Sequence, residues 1–63
     1  MDQKEELERK IEQIESQLHL AELESYAWNK GKYKNHSNAQ MSKIYVESLR
    51  KEIKLLRAQL QDS

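Results

Sequence analysis

Apolar and small residues recur at Leu7, Ile11, Ile14, Leu18, Ala21, Ser25 and Trp28, and again at Ala39, Ser42, Val46, Leu49, Ile53, Leu56 and Leu60. In both runs the spacing alternates between three and four, the repeat that places one stripe along a helix and forms a coiled-coil seam. Between the runs the pattern stops. Lys30-Gly31-Lys32-Tyr33-Lys34-Asn35-His36-Ser37-Asn38 has no seam, and it contains the only glycine of the chain. The pattern predicts an all-α fold in one domain spanning residues 1–63, an antiparallel two-helix hairpin of coiled-coil type. Helix 1 is expected over residues 3–30, the turn over 31–37 and helix 2 over 38–61. At 1.5 Å per residue the arms would measure about 40 and 36 Å, well matched for a hairpin.

The ends of the arms carry their own signals. Asp2 with Glu5 three residues on reads as a capping-box pair, and Ser37 with Gln40 reads the same way for helix 2. Gly31 suits the stop just past a helix, with Lys30 placed to answer the helix dipole. The competing fold is one continuous helix. It would have to run through Gly31, Asn35, Ser37 and Asn38, which are weak helix formers or cap formers.

A second stripe changes the picture. Leu20, Leu23 and Ala27 fall roughly opposite the seam of helix 1, and Met41, Ile44 and Leu55 roughly opposite that of helix 2. A lone hairpin would leave them in water. Burying each large side chain is worth about 1.5–3 kcal/mol, so the hairpins are expected to pair into a homodimer, a four-helix bundle. The predicted oligomer and partner surface is Leu20, Leu23, Ala27, Trp28, Met41, Ile44, Tyr45 and Leu55. Most of it lies toward the turn, where Tyr26 and Tyr33 add further aromatic surface. The turn end is therefore expected to be the best-packed part of the molecule and the seat of its function.

Charge agrees with the antiparallel arrangement. The 11 acids and 11 bases cancel, but residues 1–27 hold eight acids against three bases and residues 28–63 hold eight bases against three acids. Antiparallel arms bring opposite charges together along the seam, whereas a parallel homodimer would align like with like. The basic run Arg50, Lys51, Lys54 and Arg57 is accordingly expected to face the acids of helix 1.

Composition narrows the function classes. There is no cysteine, so no disulfide can staple this small chain. No stretch approaches the roughly 18 apolar residues of a membrane span, and the polar, acidic start does not read as a signal peptide, so a cytoplasmic protein is expected. No catalytic set, phosphate-binding glycine loop or cofactor motif is present, and an enzyme is not expected. Glu15, His19 and Glu22 share a face but read as a charged helix surface rather than a metal site. The expected role is a small non-enzymatic protein-interaction module, an adaptor, inhibitor or assembly factor.

The alternative is a nucleic-acid-binding helical dimer, with Lys30, Lys32, Tyr33 and Lys34 as contacts beside Trp28 and His36. Arginine, the preferred bidentate reader, is missing from that tract. Trp28-Asn29-Lys30-Gly31-Lys32, followed by His36-Ser37 and Met41-Ser42-Lys43, resembles the short DNA-binding modules found beside homing endonuclease domains. The likeness covers under a third of the chain and contains an insertion. Lys34-Asn35 with Ala39 and Ser42-Lys43, ahead of the Leu49–Leu60 heptads, is similar to a basic-leucine-zipper basic region. It departs from that family in holding only Lys43 as a base over residues 35–49. Either resemblance would imply contact with DNA.

Overall fold

The computed structural model describes residues 2–62, apart from the side chain of Tyr33. Helix α1 spans Gln3–Asn29 and helix α2 spans Ser37–Asp62, joined through a short 3₁₀ turn at Gly31–Tyr33. The helices pack against each other along their length in a rod of 47 × 15 × 12 Å.

The start of α1 follows from its sequence. The Asp2 side chain accepts a hydrogen bond from the Lys4 backbone N–H at 3.3 Å, and Glu5 and Glu6 fill the first turn. An acceptor and two carboxylates meet the free N–H groups and the positive end of the helix dipole. The helix ends at Asn29, one residue short of the expected end. Lys30 is already extended, and Gly31 takes a φ of +82°, a backbone conformation that glycine adopts without steric cost.

The start of α2 differs from the expected one. Ser37 does not cap it; Ser37 is the first helical residue and His36 is the cap. The Asn38 N–H donates to His36 Nδ1 at 3.1 Å, while the His36 carbonyl accepts from the N–H groups of Ala39 at 3.0 Å and Gln40 at 3.3 Å. Nδ1 can accept only with its lone pair free, which puts the ring proton on Nε2. The ring is held there because it stacks on Trp28, centroids 5.4 Å apart and planes 23° from parallel. A short chain segment could have been capped by either residue. The stack across the turn favours the histidine.

The two heptad stripes form the interface between the helices. All fourteen seam positions read from the sequence are buried or half-buried, and among the described residues only Asn29 joins them. Ile11, Ile14, Ala21, Val46, Leu49, Ile53 and Leu56 make one cluster, with Leu7, Leu18 and Leu60 packed against it.

The turn end is not the best-packed part, contrary to expectation. Its seam positions are Ala21, Ser25, Ala39 and Ser42, small residues apart from the half-buried Trp28. The large buried aliphatics lie from the middle of the rod toward the termini. Small residues let the helix backbones approach near the turn, and that closeness is used for polar contacts. The Asn29 Nδ2 group donates to the Ser25 carbonyl at 2.8 Å and reaches across to the Ala39 carbonyl at 3.3 Å. Ser42 donates its hydroxyl to the same Ala39 carbonyl at 2.7 Å.

Opposite charges do meet along one edge of the rod. Arg50 donates to Glu22 across the helices at 2.7 Å and to Glu47 on its own helix at 2.8 Å, and Arg57 donates to Glu15. The hydrogen bond to Glu22, then that to Glu47, holds the Arg50 guanidinium above its ordinary pKa, so it stays charged throughout the accessible pH range. These groups are about half exposed, and pairs of that kind add little stability. They do select orientation and register. Lys51 and Lys54, from the same basic run, make no ion pair among the described residues, so the expected match to the acids of α1 is met by the two arginines alone.

Candidate interaction surface

With the seam closed, the second stripe is left outside. Leu20, Leu23, Met41, Ile44, Tyr45 and Leu55 are all more than half exposed, from 51 % for Tyr45 to 68 % for Ile44, and Ala27 is exposed as well. A scattered exposed leucine needs no explanation, but six large apolar residues left exposed on a rod of 47 × 15 × 12 Å do.

The two edges of the rod are not alike. One is the charged edge, where a furrow is lined by Glu15, Leu18, Arg50, Ile53, Lys54 and Arg57. Tyr26 belongs to that edge, beside Glu22, Lys43 and Arg50, and the Lys30 ammonium lies 5.7 Å from its ring centre.

The other edge carries a groove of about 450 Å³ near the turn. Ala21, Trp28 and Ser42 form its floor, and Glu24, Asn38, Met41 and Tyr45 form its walls, so Glu24 is its single charged group. Leu20 and Ala27 stand one helical turn either side of Glu24 and extend this wall of α1. Leu23, which adjoins both Leu20 and Ala27, and Ile44 lie further round, roughly opposite the seams on the outer faces of their helices.

The residues singled out from the sequence are therefore only partly brought together. Leu20, Ala27, Trp28, Met41 and Tyr45 share the groove edge. Leu23 and Ile44 face outward, and Leu55 lies toward the termini. The aromatic residues do not form one patch, because Tyr26 and Tyr45 are on opposite edges and Trp28 is half-buried against His36. The Tyr33 side chain lies outside the described part of the structure. Lys30, Lys32 and Lys34 are exposed around the turn. Glu15 and Glu22 hold arginines of α2, and among the described residues no cluster of three metal-ligating side chains occurs. Among the described residues no helix is long and apolar enough to cross a membrane.

Two contributors went unread in the sequence. His36 looked like a turn residue, and Asn29 lay one position off the seam. An asparagine that close to a helix end, beside a seam aromatic, is the pattern that could have marked a buried polar clamp. Its carboxamide oxygen is buried without a hydrogen-bond donor among the described residues. That fits a residue kept for register rather than stability, since a polar group at a helix–helix contact disfavours other alignments.

Replacing His36 by alanine tests the local architecture. It removes the acceptor for the Asn38 N–H and the stack on Trp28 together. Loss of a cap alone costs about 0.5–2 kcal/mol. Hydrogen exchange at Asn38 to Gln40 should quicken and the thermal midpoint should fall. Unchanged exchange there would show that the histidine is not the cap.

No protein family, curated protein or solved structure matches this chain.

Proposed function

We propose that this chain is a small non-enzymatic protein-interaction module, working as an adaptor, inhibitor or assembly factor through a self-associating helical hairpin. The observation that carries the reading is the exposed second stripe. The hairpin uses its seam completely, yet Leu20, Leu23, Met41, Ile44 and Leu55 remain more than half in water. Helices apolar on two sides are ordinarily covered on two sides. Pairing of hairpins into a four-helix bundle covers them without requiring any other chain. The faces that such pairing leaves open would meet a protein partner, with the turn end supplying Trp28 and Tyr45, residue types enriched at binding hot spots.

The nucleic-acid alternative rests on exposed Lys30, Lys32 and Lys34. It is the weaker reading because Trp28 is half-buried against His36 and the turn tract carries lysines but no arginine, the side chain that reads phosphate and guanine bidentately.

Light scattering at micromolar concentration tests the reading directly. A mass of about 15 kDa, twice the 7.5 kDa of the chain, is expected. Leu23→Glu should lower it toward the monomer while helicity by circular dichroism is retained. A fully helical species of monomer mass in the unaltered protein would overturn the reading.

A further inference from the structure

The groove near the turn owes two of its residues to one side chain. Trp28 on its floor stacks with the His36 ring, centroids 5.4 Å apart. Asn38 on its wall donates its backbone N–H to His36 Nδ1 at 3.1 Å. One ring thus ties the end of α1 to the start of α2 in two ways. The stack needs only the ring face. The cap needs the Nδ1 lone pair.

Histidine is also the side chain whose charge ordinarily changes between about pH 5 and 8. The chain has two, His19 and His36. His19 lies exposed on α1, away from the turn, and His36 is exposed within it. Protons therefore reach the capping ring freely.

A proton on Nδ1 turns the acceptor into a donor. It then meets the Asn38 N–H, another donor, and that hydrogen bond is lost. The new cation also stands at the first turn of α2, among free N–H groups and at the positive end of the helix dipole. The charged groups nearby do not offset this. The turn contributes Lys30, Lys32 and Lys34, and the groove wall of α1 contributes Glu24. The first turn of α2 holds no acid, and among the described residues no carboxylate pairs with the ring. An imidazolium is still attracted to the Trp28 face. That contact keeps the ring in place but leaves the cap open.

We propose that His36 is a pH-sensitive latch on the turn-end groove, closed while Nδ1 is unprotonated and open in mild acid. Opening frays the first turn of α2 and moves Asn38 off the groove wall. It stops at Ala39, which is fully buried and whose carbonyl takes hydrogen bonds from Asn29 and Ser42. The aliphatic seam beyond has no titrating group and holds the hairpin together. Acid therefore reshapes the groove without unfolding the rod. Where the groove meets a protein partner, which rests on the reading above, mild acid weakens that contact.

Amide exchange followed by NMR from about pH 8 to about pH 5 reads the latch, each rate being divided by that of an unstructured amide at the same pH. Protection at Asn38 to Gln40 should fall on the order of fivefold towards the acid end, the factor a lost helix cap is worth. Ile53 and Leu56 should keep theirs. His36→Asn supplies an acceptor that does not titrate, from a residue well suited to helix caps, and should abolish the pH step. His19→Gln should retain it. Unchanged protection in acid for the unaltered protein, or a step that survives His36→Asn, overturns the latch. Light scattering on the same samples follows self-association separately. A monomer that shows the step overturns self-association alone, and a dimer that lacks it overturns the latch alone.

Discussion

Replacing Leu49 by alanine should leave most of the chain unfolded at 25 °C. Leu49 is only 4 % exposed and lies at the centre of the seam, in the cluster with Ile14, Ala21, Val46 and Ile53. Truncating a buried leucine removes its transfer energy and leaves a cavity, together about 2–5 kcal/mol. A core in a chain below about 70–80 residues rarely supplies more than about 3–5 kcal/mol. One substitution therefore removes most of the margin. Thermal melts followed at 222 nm at low protein concentration should show a midpoint lower by at least about 10 °C. Leu55→Ala provides the contrast, since Leu55 is 61 % exposed and should change the melt far less. Equal effects at the two positions would mean that the seam is not what holds the helices.

Enlarging Ala39 to leucine should be nearly as damaging, for the opposite reason. Ala39 is 0 % exposed, pinned between the first turn of α2 and the end of α1. Its carbonyl takes hydrogen bonds from Asn29 at 3.3 Å and Ser42 at 2.7 Å. Three added carbons cannot be placed there without pushing the helices apart, and overpacking of a tight site costs about 1–3 kcal/mol, occasionally more. Separation also breaks the Asn29 bond across the helices, which leaves polar groups at a protein contact without partners. The damage should be local at first. Hydrogen exchange should accelerate around Ser25–Asn29 and Ala39–Lys43 well before it does around Ile53 and Leu56. Uniform loss of protection would instead mark a hairpin that melts as one unit.

These two sites differ in how plainly the sequence announces them. Leu49 belongs to a long aliphatic heptad run that only a buried helix stripe explains. Ala39 belongs to the same stripe, but alanine is common on helix surfaces too, and only the approach of α1 makes its size critical. His36 and Asn29 are further along that scale. The cap at His36 depends on a stack with Trp28 across the turn, and the clamp at Asn29 on the carbonyl of a residue ten positions away. Neither partner can be inferred from local spacing. The expectation that the turn end would pack best failed for a related reason. It counted apolar residues near the turn, but those residues point away from the partner helix, and the seam there is made of alanine and serine.

What the sequence determined alone is the hairpin itself: two seams of matched length, a glycine-marked break, and a charge split that favours antiparallel arms. Heptad spacing is a local property, and a stripe on a helix has one place to go when another stripe of equal length follows it. The tertiary structure decided which edge each remaining side chain faces. The second stripes read simply as opposite the seam. Only the docking of α1 on α2 puts Leu20, Ala27, Met41 and Tyr45 along one edge and the arginine–glutamate pairs along the other. The seams fix how each helix is rotated, but the axial register that brings Glu15 level with Arg57 and Glu22 level with Arg50 comes from the docking of one helix on the other, and no pattern within a single helix records it.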